Sequence, residues 1–94
     1  MIIGACLLKL YLPGVFSLKE KRHVLKPLLN DLRRTFEVAA AEVGNQDTWQ
    51  AAEVAIVAVS NDSGHLYAVL EKAVHWIEEE RPDIEIQDWE VELR

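Results

Sequence analysis

Cysteine is almost absent from this 94-residue chain: the single Cys6 allows no internal disulfide and no thiolate-rich metal site. It lies among apolar neighbours in "IIGACLLKL" and reads as a small buried hydrophobe. No apolar run approaches the ~18–20 residues of a membrane helix. No basic leader precedes the first apolar residues, so a soluble, cytoplasmic protein without a secretory signal is expected. Glycine is scarce, and its four occurrences form no P-loop, G-x-G-x-x-G or G-x-S-x-G pattern. Histidine is scarce too: His65 and His75 stand ten apart, whereas a helical ligand pair needs a spacing of four. No metal and no cofactor is expected.

Positive charge is also in short supply, and its placement is uneven. The formal net charge is −6, yet "SLKEKRHVLKPLLNDLRR", residues 17–34, holds six of the ten basic residues. Such an acidic protein repels nucleic acid at long range, so a nucleic-acid partner would have to be met by a local patch. Composition otherwise is that of one small globular domain spanning residues 1–94, with half its residues hydrophobic.

The elements follow from periodicity. Residues 2–12 read as a central strand, apolar at both parities, ended by Pro13–Gly14. Ser17 and Glu20 form an S-x-x-E capping box, and Leu18, Leu25, Leu28, Leu29 and Leu32 recur with helical spacing behind it. Pro27 falls inside that helix, where it removes a donor at a cost of about 3 kcal/mol. One kinked helix is preferred here over a separate turn at 18–23, because the leucine spacing continues across the proline. Residues 36–43 and 51–60 read as strands of a hairpin turning at Gly44, Asn45 and Asp47. A second helix follows the capping cluster Asn61–Ser63, with Leu66, Val69, Leu70, Ala73 and Ile77 on one face, and ends before Pro82. The last strand is 84–93; its apolar parity changes between Ile86 and Trp89, predicting a bulge or twist near Gln87–Asp88. The order βαββαβ is the ferredoxin-like split βαβ pattern of the α+β class: a four-stranded antiparallel sheet with two helices on one face.

The segments "LPGVFSLKEKRHVLKPLLNDLRRTF" and "AEVGNQDTWQAAEVAIVAVSND" resemble the bacterial YlxP-like family, through SLK-x-KR, QD-x-W and VSND at these spacings. The resemblance implies a ferredoxin-like fold and no known activity, so it carries over no catalytic residue. Genes of similar proteins often lie near those for translation initiation and ribosome maturation factors, which turns the expectation towards a ribosome-linked role.

On a helical wheel Lys19, Arg22, Lys26 and Arg33 fall within about 60° of arc beside the apolar face. Such a row can follow a phosphate backbone, each contact releasing counterions; it can equally be a solvated face paired with the protein's own acids. Lys21 falls inside the apolar arc, where its stem is expected to snorkel at the helix end. The "LPGVFSLK" loop has the outline of an anion site at a helix N-terminus, as in acylphosphatase-type enzymes. However, Ser17 stands where their arginine is expected, and Ser17 and Glu20 are committed to capping. An enzyme is therefore not expected. Base stacking on the open sheet face would use Tyr11, Trp49 and Trp89, but the strands are rich in glutamate and lack interleaved basic residues. Trp89 is read instead as packing at the sheet rim. The open face, with Ala39, Ala41, Ala55 and Val57, is expected to be covered by a second copy in a homodimer. The leading expectation is a small non-enzymatic factor touching RNA or a ribosomal particle through Lys19, Arg22, Lys26 and Arg33. The alternative is a protein-interaction or homodimerisation module that binds no nucleic acid.

Overall fold

The computed structural model describes residues 1–94. Strand β1 (Ile2–Tyr11) leads through the Pro13–Gly14 turn into helix α1 (Leu18–Phe36). Strands β2 (Ala39–Gly44) and β3 (Ala51–Ser60), helix α2 (Ser63–Glu80) and strand β4 (Glu85–Leu93) complete the chain. The sheet order is β2-β3-β1-β4, with every neighbouring pair antiparallel. This is the split βαβ arrangement of the ferredoxin-like fold, as the order of elements predicts.

Pleating alternates side chains between the two faces of the sheet. Along β1 the even positions Cys6, Leu8 and Leu10 are buried beneath the helices, and β3 supplies Ala52, Val54 and Ile56 opposite them. Helix α1 closes this layer with Leu25, Leu28 and Leu32, and α2 with Leu66, Leu70, Ala73, Val74 and Ile77. Each fully buried large aliphatic side chain contributes about 1.5–3 kcal/mol, so the helices are held mainly by these rows. A T-shaped pair of Phe36 and Trp76, with ring centroids 6.1 Å apart, joins the end of α1 to α2. Arg81 adds a polar tie, donating to the Val24 carbonyl of α1 at 3.2 Å while chelating Asp83. The Arg81 hydrogen bond holds the Asp83 carboxyl below its usual value. Any stability this pair adds is present above the ordinary carboxylate range and is lost as pH falls through the depressed value.

Gly4 shares the core parity of β1, and a β-carbon there would meet the Leu66 Cγ at 2.9 Å and Leu70 Cδ1 at 3.0 Å. The bare backbone lets α2 sit close to the sheet. Gly4→Ala is expected to lower stability by about 1–3 kcal/mol through overpacking, measured as a reduced urea midpoint. An unchanged midpoint would mean that α2 is free to shift outward. Cys6 is likewise enclosed, and desolvation pushes its thiol up to about 11. Iodoacetamide at about pH 8 is expected to leave the native thiol intact while labelling the unfolded chain, because only a thiolate is reactive. Rapid labelling of folded protein would contradict this packing.

Several element boundaries differ from the sequence expectation, β1 ending at Tyr11 instead of residue 12. Helix α1 is, as expected, a single helix with Pro27 inside it, and no separate turn forms at 18–23. It also extends to Phe36, where the sequence pattern starts a strand. The chain reverses at Glu37, which takes a left-handed conformation (φ 53°, ψ 47°), and β2 begins only at Ala39. A helix ended by glutamate rather than glycine in that conformation gives no ordinary stop signal. The last strand begins at Glu85, one residue later than expected, and Ile84 before it is buried. The bulge is as predicted: Lys9 pairs with Asp88 and Leu10 with Ile86, leaving Gln87 extra. It turns Trp89 to the helix side opposite Leu8, where it packs against the core.

The second sheet face carries no helix. Ile3 and Leu7 of β1 are 39% and 38% exposed there and Val59 of β3 is 63% exposed, so this face is an apolar surface open to contact. Along its β4 edge Glu85, Asp88, Glu90 and Glu92 stand opposite Tyr11, Lys9, Leu7 and Ala5. The acids thus line one side of the open face.

Candidate functional site

Helix α1 starts as its cap predicts, with one change of partner. Ser17 Oγ accepts from the Glu20 amide at 3.1 Å, while the Glu20 carboxylate accepts from the Phe16 amide at 2.7 Å, one residue upstream of the cap. The chain's own carboxylate therefore occupies a backbone donor that an anion in the "LPGVFSLK" loop would require.

Lys19, Arg22 and Lys26 are exposed on α1 and form neither an ion pair nor a side-chain hydrogen bond within the chain. Of the two expected explanations for the basic stripe, self-pairing fails at these three residues. It applies to Arg34, which is bound to Asp31. Arg33 differs from the rest of the stripe. Its Nε and Nη2 donate to the Ala40 carbonyl at 3.1 and 2.6 Å, and its Nη1 donates to Asn30 Oδ1 at 2.9 Å. Ala40 lies on the edge strand β2, so the guanidinium satisfies a backbone acceptor that an edge strand otherwise leaves open.

Between α1 and β2 runs a groove of about 320 Å³. Leu18, Leu25 and Leu29 give it apolar lining, and Arg22, Lys26 and Arg33 supply the cations. Lys19 is not part of it; the predicted stripe divides into a groove-lining set and one outlying lysine. The single carboxylate in the groove belongs to Glu42, which is already paired. Its Oε2 lies 2.7 Å from Lys21 Nζ, is buried and accepts no well-formed hydrogen bond, so the contact is ionic. The groove therefore keeps a net positive charge.

Lys21 corrects the sequence reading most sharply. It does not snorkel: the residue is 2% exposed, and its ammonium donates to the carbonyls of Asn45 at 2.6 Å and Thr48 at 2.7 Å. Two of the three lysine donors are thus used on backbone carbonyls, and the Glu42 carboxylate balances the charge as an ion pair. Lys21 thereby fastens the β2–β3 turn, where Asn45 adopts φ 59°, against the first turns of α1. The signal was present as a charged residue within the apolar arc, with Glu42 at a helix-facing position of β2. Only the tertiary pairing joins the two.

No cluster of three metal-ligating side chains forms, and no helix is long and apolar enough to cross a membrane.

Comparison with known proteins agrees with this architecture. The uncharacterized protein YlxP of Bacillus subtilis (strain 168) is 41% identical over 69 residues, covering 73% of this chain and 74% of that protein. A de novo designed protein with a ferredoxin fold superposes with a TM-score of 0.61 at 10% identity, covering 100% of this chain and 84% of that one. The de novo designed protein Foldit4 superposes with a TM-score of 0.53 at 14% identity, covering 100% and 97%. At such identities the designed proteins share the fold alone. The family described as "Protein of unknown function (DUF503)" matches residues 3–91, nearly the full length, and the chain belongs to that family.

Proposed function

We propose that this protein is a non-enzymatic factor that contacts RNA, free or within a ribosomal particle, through the exposed cationic side of α1. The observation that carries the reading is the lack of any intramolecular partner for Lys19, Arg22 and Lys26 in a chain of net charge −6. The nearby acids are engaged elsewhere: Glu20 accepts from the Phe16 amide, Asp31 binds Arg34 and Glu42 pairs with Lys21. Contacts from such a row go to phosphates: they position the protein and carry no base specificity. Arg33, expected as a fourth phosphate contact, is held to the β2 edge and contributes its charge from a fixed position.

The test is sedimentation with ribosomes and their subunits at low and moderate salt, comparing wild type with Lys19→Glu/Arg22→Glu/Lys26→Glu. Arg33 is left intact because it also caps β2. Co-migration confined to wild type supports the proposal, and equal co-migration of both proteins removes it.

A second reading, compatible with the first, is a homodimer through the helix-free sheet face. Exposed Ile3, Leu7 and Val59 favour it, and that face lies opposite α1. Sedimentation equilibrium showing a monomer at high concentration would dismiss it.

A further inference from the structure

Given the reading of α1 as an RNA contact, on which this step rests, we infer that the groove between α1 and β2 seats single-stranded rather than duplex nucleic acid. Its lining extends from Leu18 to Arg33, about 22 Å along the helix at 1.5 Å per residue. A groove of about 320 Å³ over such a length is narrow, so only a single extended chain can lie between its walls, whereas a duplex can touch its cations only from outside.

The lining offers both halves of a nucleotide a place. Arg22 and Lys26 stand one helical turn apart, without intramolecular partners, and suit successive phosphates of an extended strand. Leu18 and Leu29, both half-buried, give bases an apolar wall. Arg33 is pinned through three hydrogen bonds to Ala40 and Asn30, and all of them lie at the rim of the guanidinium. Such in-plane bonds leave the flat faces available, and a guanidinium already held still loses little entropy when a base stacks on it. Arg33 thus becomes a stacking platform instead of a phosphate contact. An acidic peptide would use the cations but gain nothing from the fixed plane.

Fluorescence anisotropy would compare a labelled twelve-nucleotide oligouridine with a blunt RNA duplex of equal length at matched salt, with twelve-residue polyglutamate as competitor. The single strand is expected to bind about tenfold or more tightly than the duplex, and polyglutamate to compete poorly. Arg33→Lys, checked for native circular dichroism, keeps the charge but removes the plane. It is expected to weaken the single strand by about tenfold, with an unchanged salt slope and unchanged duplex binding. Equal or tighter duplex binding, an Arg33→Lys loss shared by both probes, or effective competition by polyglutamate would each overturn the inference and leave α1 a general anion contact. Failure of both nucleic acids to bind would overturn the RNA reading itself.

Discussion

Lys21→Met is expected to cost about 3–5 kcal/mol, the loss typical of breaking a buried ion pair from one side. The substitution preserves the apolar stem and deletes only the ammonium, so it isolates the polar clamp. Two carbonyls, of Asn45 and Thr48, lose their donor, and the buried Oε2 of Glu42 loses its counter-charge at the same time. A domain of this size has a total stability of roughly 5–14 kcal/mol, so the loss is a large share of the total. Urea unfolding would report the loss, and the double variant Lys21→Met/Glu42→Leu supplies the control. Removing the stranded carboxylate as well is expected to return part of the stability, since an apolar pair of similar volume can replace a buried ion pair. A loss below about 1 kcal/mol in the single variant would show that the ammonium contributes no more than a surface charge. Near-native protein lost only at the turn, seen as fast amide exchange at residues 45–48, would separate local from global effects.

The second large effect is electrostatic. Lys19→Glu/Arg22→Glu/Lys26→Glu is expected to reduce affinity for single-stranded RNA by more than about a hundredfold at low salt, because three attractive contacts become repulsive. For wild type, about three neutralised phosphates predict a slope near −2 in the logarithm of affinity against the logarithm of salt. Affinity would therefore fall by roughly twentyfold between about 50 and 200 mM. None of the three side chains is buried or bonded within the chain, so the variant is expected to keep its melting temperature within a few degrees. A slope near zero would indicate that binding, if seen, arises elsewhere. Loss of the fold in the variant would instead reveal a structural role that the exposed positions do not suggest.

Much of the fold was legible because each element announced itself locally: the leucine rows of both helices, the hairpin turn, the S-x-x-E cap and the parity change in the last strand. The differences arise where a residue departs from its usual backbone preference or answers to a distant partner. The stop of α1 at Phe36 was obscured because Glu37 takes a left-handed conformation without being glycine. Nothing in the local sequence marks Gly4, because the need for it comes from Leu66 and Leu70, more than sixty positions away. Within the candidate site, Lys19, Arg22, Lys26 and Arg33 were read from one helical wheel, which cannot show what faces the helix. The wheel grouped Arg33 with the stripe, although β2 claims its guanidinium, and it sent Lys21 to solvent, although the Asn45–Thr48 turn claims its ammonium. Residues on one helix can be sorted by angle, but ownership by another strand is decided only after folding.

The acidic row of β4 and the basic side of α1 also act together, at a distance. Glu85, Asp88, Glu90 and Glu92 lie on the helix-free face at one margin of the sheet, whereas α1 lies on the other face, its groove opening beside β2 at the opposite margin. The molecule is therefore an electric dipole set obliquely across its sheet. Near a large polyanion such a dipole experiences a torque before any contact forms, turning α1 inward and the glutamate margin outward. Encounters would then start in the productive orientation more often than chance allows, despite the net repulsion of an acidic protein.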